Sequence, residues 1–339
     1  MLPGETAAPG TQATLPGMAT HHELPANVAT VHWGYFDATL EPVVLIESGD
    51  TIAIQTVSGA PEYMPDPPLV VPDELRQIHS TLQPELGPHI LTGPVAVDGA
   101  APGDRLDVEI LDIRLDTDWG WNVHKPPLAA LPDVADPWTR HLAIDRDRMR
   151  ATLPWGGEIP LQPFFGILAT APPPARGRVS SKPPDFFGGN MDNKELVVGT
   201  VMSLPVHAGG ALLSVGDGHA AQGDGEVGLT ALETCMTGTF EIRLVKQEPL
   251  RTPRALTPTH YITHGFDPDL DLAAQQALRD MIDWLGTGAG LPAADAYLLC
   301  SIACDLHVTQ LVNGNKGVHA MLAREIFEQQ RSPGLGTAP

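Results

Sequence analysis

Short runs with apolar residues at every second position recur along the chain. Ser48-Gly49-Asp50 leads into Thr51-Ile52-Ala53-Ile54-Gln55-Thr56-Val57, and Pro102-Gly103-Asp104 leads into Arg105-Leu106-Asp107-Val108-Glu109-Ile110. A period of two is the signature of a half-buried strand, and the Gly-Asp pair supplies the turn before it. Phe240-Glu241-Ile242-Arg243-Leu244 alternates in the same way. Apolar runs broken by Gly and Pro predict more strands from Leu196 to Val215. The period changes near the C-terminus. Residues 268–285 and 292–312 carry apolar positions at helical spacing, each with a Pro near its start, at Pro268 and Pro292. The pattern predicts a mainly β fold with C-terminal helices.

Composition supports this. The 339 residues include 34 Gly and 34 Pro, together about a fifth of the chain against roughly 12% in average usage. So many helix breakers exclude a protein of long helices. They are spread through a chain that is 42% hydrophobic, which excludes disorder for most of it. The expected organisation is a flexible tail over residues 1–20, a β region over 21–170, a second β region with the candidate site loops over 171–250, and a mixed helical part over 251–339. Residues 116–165 stand out, with Trp119, Trp121, Trp138 and Trp155 beside Arg140, Arg146, Arg148 and Arg150. They read as an inserted or elaborated loop that serves as a lid or an oligomer contact, or as Trp packed over a sheet edge with Arg in water.

Charge narrows the partners. Asp and Glu number 41 against 20 Lys and Arg, for a net charge of -21. That argues against nucleic acid and anionic membranes and suits divalent cations. The first twenty residues lack a basic start and an apolar run, and no stretch approaches the length of a membrane helix. The three cysteines, Cys235, Cys300 and Cys304, are too sparse for a disulfide framework. The expectation is a cytoplasmic protein, with Cys300 and Cys304 as core residues on one helix face.

Two stretches carry candidate chemistry. One is Gly188-Gly189-Asn190-Met191-Asp192-Asn193-Lys194-Glu195-Leu196. The other runs from Ser214 to Val227 and holds Asp217, His219, Gln222, Asp224 and Glu226 among glycines. Glycines let a loop fold tightly, so several oxygens and one imidazole can be aimed at one point. Asp and His two apart suit a divalent metal, Zn²⁺ in particular. The competing reading is a pair of turns with solvated Asp at their tips. The acids do not fall at EF-hand positions. The glycine content also predicts a solvent-accessible loop.

Both stretches resemble the signatures of the acetamidase/formamidase family. Thr30-Val31-His32-Trp33-Gly34-Tyr35-Phe36-Asp37, Gly87-Pro88-His89-Ile90-Leu91-Thr92-Gly93-Pro94-Val95 and Gly99-Ala100-Ala101-Pro102-Gly103-Asp104 are similar as well. The likeness covers roughly residues 20–310, with departures in residues 116–165 and after Pro249. It implies a mainly β fold with sandwich or barrel elements and a smaller α/β portion. It implies hydrolysis of a short aliphatic amide, such as formamide or acetamide, to carboxylate and ammonia, and a homo-oligomer. No Gly-x-Ser-x-Gly elbow is present, and the cysteines lie outside the polar clusters. A metal-activated water therefore becomes the expected nucleophile. Asp217 and His219 are the expected ligands, with Asp192 as a third. Glu226 or Asp224 serves as a further ligand or as the general acid and base. Lys194 stabilises the oxyanion or pairs with one of these acids. Asn190, Gln222 and His89 are the expected substrate contacts. Two alternatives stay open: a non-enzymatic β-sandwich binding module holding a structural Ca²⁺, and a hydrolase of a related C–N bond such as a cyclic imide.

Overall fold

The computed structural model describes residues 19–328. The tail expected over residues 1–20 therefore lies, except for its last two positions, outside the described residues. The first strand is His21–Leu24.

Two large sheets carry the fold among the described residues. One has nine strands, in the order His21–Leu24, Thr51–Thr56, Met236–Val245, Arg105–Leu115, Val201–Pro205, Arg254–Leu256, His260–Asp267, Lys316–Ala323 and Cys304–Gln310. Its alternating strands pair so that like faces meet. Phe240 lies opposite Ile52 on one side and Ile110 on the other, and Ile242 lies opposite Val108. A slip of one residue would turn all of these away from the core. The other sheet has eleven strands. Its main path is Glu158–Pro160, Arg150–Thr152, Trp138–Asp145, Trp119–His124, Leu232–Glu233, Leu213–Ala221, Phe164–Ala169 and Gly188–Asn190. Ile90–Val97 joins Leu213–Ala221 to Val31–Trp33 and Val44–Ile46. Ile52, Ile54, Leu106, Val108 and Phe240 of the first sheet meet Val95, Phe165, Leu168, Leu213 and Val215 of the second in one continuous core. The architecture is a β-sandwich, mainly β as expected.

The helix Leu270–Ala289 starts at Asp269, whose carboxylate accepts from the N–H groups of Asp271 and Leu272, and ends at Gly290 with φ 68°. It packs Ala273, Ala277 and Met281 over Val318 and Ala320 of the sheet. Gly265 allows that approach, since a Cβ there would stand 1.9 Å from the carbonyl oxygen of Ala273. This helix, with the strands beneath it, is the smaller α/β portion.

The segment 292–312 is not one helix. Helix covers Ala293–Ala303, and Cys304–Gln310 is an edge strand. Asp305, His307 and Thr309 alternate there with Leu306 and Val308, and pairing with Lys316–Ala323 satisfies the backbone on one side. Cys304 caps the helix, its N–H on the Cys300 carbonyl, and packs with Cys300 in the same cluster under the helix. Cys300 is buried and Cys304 half-buried. The helix Asp73–Thr81 was not foreseen. Residues 116–165 are built into the larger sheet as four strands, with a long connection over residues 125–137 and short ones elsewhere. Trp119 and Trp121 are buried, and Trp155 is 81% exposed.

Candidate active site

Asp217 and His219 stand two apart on Leu213–Ala221, so both side chains leave one face of the strand. The accessible loop expected here is a buried central strand instead. Asp217 is 7% exposed and His219 fully buried. Room for them comes from Gly166 on the neighbouring strand Phe164–Ala169. A Cβ at Gly166 would lie 2.4 Å from Asp192 Oδ1 and 2.5 Å from Asp217 Oδ2.

Asp192 enters from the turn after Gly188–Asn190. The carbonyl of Gly166 accepts from the N–H groups of Met191 at 3.0 Å and Asp192 at 3.2 Å, which ties that turn to the strand. Glu226 comes from the turn after Leu213–Ala221. Glu233 lies in register with His219 on the adjoining strand. Four carboxylates and one imidazole thus converge. His219 Nε2 is 3.0 Å from Glu233 Oε1, 3.2 Å from Asp217 Oδ2 and 3.9 Å from Asp192 Oδ1. Asp192, His219 and Glu226 have potential ligand atoms within 4.8 Å of one another, and so do Asp217, His219 and Glu233. Three of the acids occupy left-handed backbone, with φ of 53° at Asp192, 61° at Asp217 and 44° at Glu226. Each such residue is strained by about 1 kcal/mol or more, and persists where its surroundings impose it.

The charges are crowded. Burial and the charge of Asp217 push Asp192 up to about 8. Burial and Asp192 push Glu226 well up, and burial with Asp217 pushes Glu233 up to about 7 against the pull of His219. Asp217 goes the other way: burial raises it, but His219 and His89 hold its carboxyl below the usual range. Burial lowers His219, and Glu233 and Asp217 more than reverse that. So many like charges in one buried place require a proton or a metal ion between them.

Hydrogen bonds decide which nitrogen faces the acids. The Gln222 amide group donates to the carbonyl oxygens of Asp192 at 2.7 Å and Thr309 at 3.4 Å. Its Oε1 therefore faces His219 Nδ1 at 3.0 Å. An acceptor there calls for Nδ1–H, so the neutral ring presents the Nε2 lone pair to the carboxylates. Among the described residues, no hydrogen bond satisfies His219 Nε2, Asp192 Oδ1 or Glu226 Oε2. Asn313 donates to the other Asp192 oxygen. A buried lone pair facing unpaired carboxylate oxygens, over a glycine that leaves space, fits a cation with N and O ligands.

A cavity of about 270 Å³ opens onto the cluster and is lined by Asp192, Asp217, Glu226 and Glu233. His89 and Asn190 also line it. His89 Nδ1 is 3.0 Å from Ser181 Oγ, and its Nε2 is 4.0 Å from Asp217 Oδ2. Asn190 donates to the Lys182 carbonyl at 3.0 Å, while its buried Oδ1 has no hydrogen bond among the described residues. Gln222 stands behind His219 instead of at the cavity. Lys194 and Asp224 pair with each other at 2.9 Å, both partly exposed, and are not among the cavity-lining residues. Asp224 also faces His307 Nδ1 at 3.0 Å.

Sequence reading missed Glu233, Asn313 and Gly166. Glu233 had a weak signal, as a lone carboxylate within Ala231-Leu232-Glu233-Thr234-Cys235-Met236. Asn313 and Gly166 had none, because their partners are distant in sequence.

Fold and site define a β-sandwich protein with a buried acid–imidazole centre at the floor of a cleft. The chain belongs to the acetamidase/formamidase family, whose sequence model matches residues 36–176 and 173–329. It is an amidase, a hydrolase of amide C–N bonds. It is 26% identical over 318 residues to a formamidase of Methylophilus methylotrophus, covering 71% of this chain and 77% of that protein. A solved acetamidase from Bacillus halodurans is 32% identical with a TM-score of 0.79, covering 91% of this chain and 99% of that one. An acetamidase from Yersinia enterocolitica is 27% identical with a TM-score of 0.80, covering 91% and 94%. No helix among the described residues is long and apolar enough to cross a membrane.

Proposed function

We propose that the protein hydrolyses a small carboxamide of the formamide and acetamide type. In this reading Asp192, Asp217, His219 and Glu233 hold a divalent cation. The names of its relatives support the amide. One observation carries the cation: His219 Nε2, with no hydrogen bond among the described residues, faces Asp192 and Asp217 over Gly166 and Glu233 from the adjoining strand. A nitrogen ligand favours Zn²⁺ over Ca²⁺, which takes oxygen ligands. Such an ion, when bound, supplies Lewis acidity toward an acyl oxygen and lowers the pKa of water.

The chain's own groups handle the substrate and its protons. In the overall reaction a water oxygen bonds to the acyl carbon, the C–N bond breaks, and the nitrogen leaves as ammonia after gaining a proton. Glu226 lines the cavity with one oxygen that has no hydrogen bond among the described residues, placed to take a proton and return it to the leaving nitrogen. Asn190 Oδ1 is a buried acceptor suited to an amide N–H. Ser181 orients His89 beside Asp217, and burial holds that imidazole below its usual pKa, which favours the neutral ring.

The test is ammonia release from acetamide and formamide, with and without chelator, alongside elemental analysis. Chelator is expected to stop release and Zn²⁺ to restore it. Full activity in protein shown to be free of metal would sink the cation, and no release from any amide would sink the whole reading.

Self-association belongs to the same reading. Tyr297, Leu298 and Ile302 are 59%, 62% and 74% exposed on the helix Ala293–Ala303. The one charge on that helix is Asp295, in a chain of net charge -21, so two copies can meet there with little repulsion. Sedimentation is expected to give a species heavier than one chain.

A further inference from the structure

One cross-strand row lays out the cleft. His219 is in register with Glu233, Glu233 with Trp121, and Trp121 with His141. Residues directly opposite on neighbouring strands share a face of the sheet. Trp121 therefore stands two strand spacings, roughly 10 Å, from the proposed ligand His219. The row continues outward: His141 Nε2 lies 2.8 Å from the Tyr63 carbonyl oxygen and holds the turn that carries Tyr63. The Tyr63 ring stacks on Trp121 with centroids 4.6 Å apart and planes 9° from parallel. Val57, Val123, Leu128 and Leu229 extend this apolar wall.

The cavity holds more than the smallest amides fill. An apolar cavity of roughly 150 Å³ accommodates a benzene ring, and this one measures about 270 Å³. Formamide has no acyl carbon beyond the carbonyl, and acetamide adds one methyl. With either one bound at the acids, the aromatic and aliphatic wall would face water and add nothing to transition-state binding. Contacts to the non-reacting part of a substrate are what that wall can supply.

We infer that the preferred substrates are primary amides with an apolar acyl group of aryl or branched-alkyl size. The carboxamide lies at Asp217 and Glu233, and the acyl group lies against Trp121 and Tyr63, with Leu128 and Leu229 beside it. This inference rests on the amide-hydrolase reading above and refines its substrate class: formamide and acetamide are turned over, but as poor substrates beside these larger amides. The reaction is the same hydrolysis, with phenylacetate and ammonia, for example, as products from phenylacetamide.

The experiment is a kcat/KM series over formamide, acetamide, isobutyramide, benzamide and phenylacetamide, read as ammonia release by the full chain. One methylene in an apolar pocket changes kcat/KM by about 10-fold or more. Benzamide or phenylacetamide is therefore expected to exceed acetamide by at least about 100-fold. Formamide or acetamide matching the aryl amides overturns the inference and leaves the amidase standing. Release from none of the five removes both. Leu128→Asp then tests the placement. Leu128 is 41% exposed on the connection after Trp119–His124, so the change opens no core. The ratio of phenylacetamide to acetamide kcat/KM is expected to fall by about 10-fold, and an unchanged ratio overturns the assignment of this wall. Tyr63→Ala, read the same way, serves if the first variant does not fold by circular dichroism.

Discussion

The side-chain oxygen of Gln222 stands 3.0 Å from Nδ1 of His219, and this contact sets the ring's tautomer. The amide cannot turn over, because its nitrogen is held by the carbonyl oxygens of Asp192 and Thr309. Gln222→Leu keeps the imidazole but removes its acceptor. Partners of this kind are worth roughly 10–100-fold in metal affinity. A loss of that size is expected in a Zn²⁺ competition titration with a calibrated chelator, with the circular dichroism spectrum unchanged. Unaltered affinity would show that the ring is oriented by something else.

Gly166→Ala is expected to be disproportionately damaging for one added methyl. The new carbon would overlap carboxylate oxygens of both Asp192 and Asp217. Overpacking of this kind destabilises by about 1–3 kcal/mol. Thermal unfolding should shift down and ammonia release should be lost, since two acids are displaced together. Wild-type turnover in this variant would mean that the acids do not sit over Gly166 as described.

The ion-free protein should lose stability as pH rises from neutral to mildly alkaline, above the range in which His32, His89, His264 and His319, all lowered by burial, act in the opposite sense. Asp192 and Glu233 have folded values raised to about 8 and about 7, and Glu226 is raised too. The folded chain therefore holds protons that the unfolded chain has already released, and stability falls with pH across that window. His219 has the same sign, because its raised pKa contributes stability at low pH that is lost as pH rises through the folded value. Asp217 is opposite, and its contribution is lost only in acid, as pH falls through its lowered value. Urea unfolding in chelator at several pH values measures the slope. Zn²⁺ should flatten it by taking the place of the protons, and a flat profile without metal would contradict this account of the cluster.

Asp217→Ala and His219→Ala should each lower ammonia release by orders of magnitude and reduce bound metal. Lys194→Ala is the contrast. Its ion pair with Asp224 is partly exposed, with side chains 31% and 37% accessible. Loss of that pair should change stability by at most about 1 kcal/mol. Elemental analysis should find its metal content unchanged, and metal loss equal to that of His219→Ala would place Lys194 in the site.

Local sequence determined what local geometry determines. Period-two alternation in Thr51–Thr56, Arg105–Leu115 and Met236–Val245 marks strands with one buried face, because successive side chains point opposite ways. The same period puts Asp217 and His219 on one side of their strand, and the motif at 188–196 brings in Asp192. Tertiary structure decided the rest. Leu213–Ala221 and Phe164–Ala169 are covered on both faces, so no alternation announces them and glycines there resemble a loop. Asp224 and Glu226 are separated only by Gly225, yet that glycine turns at φ 90°, and the two acids go to different places. Glu233 meets His219 through strand pairing, and Asn313 reaches Asp192 across 121 residues of chain. Contacts made between strands depend on register and sheet order, and a single sequence carries those only through the whole fold.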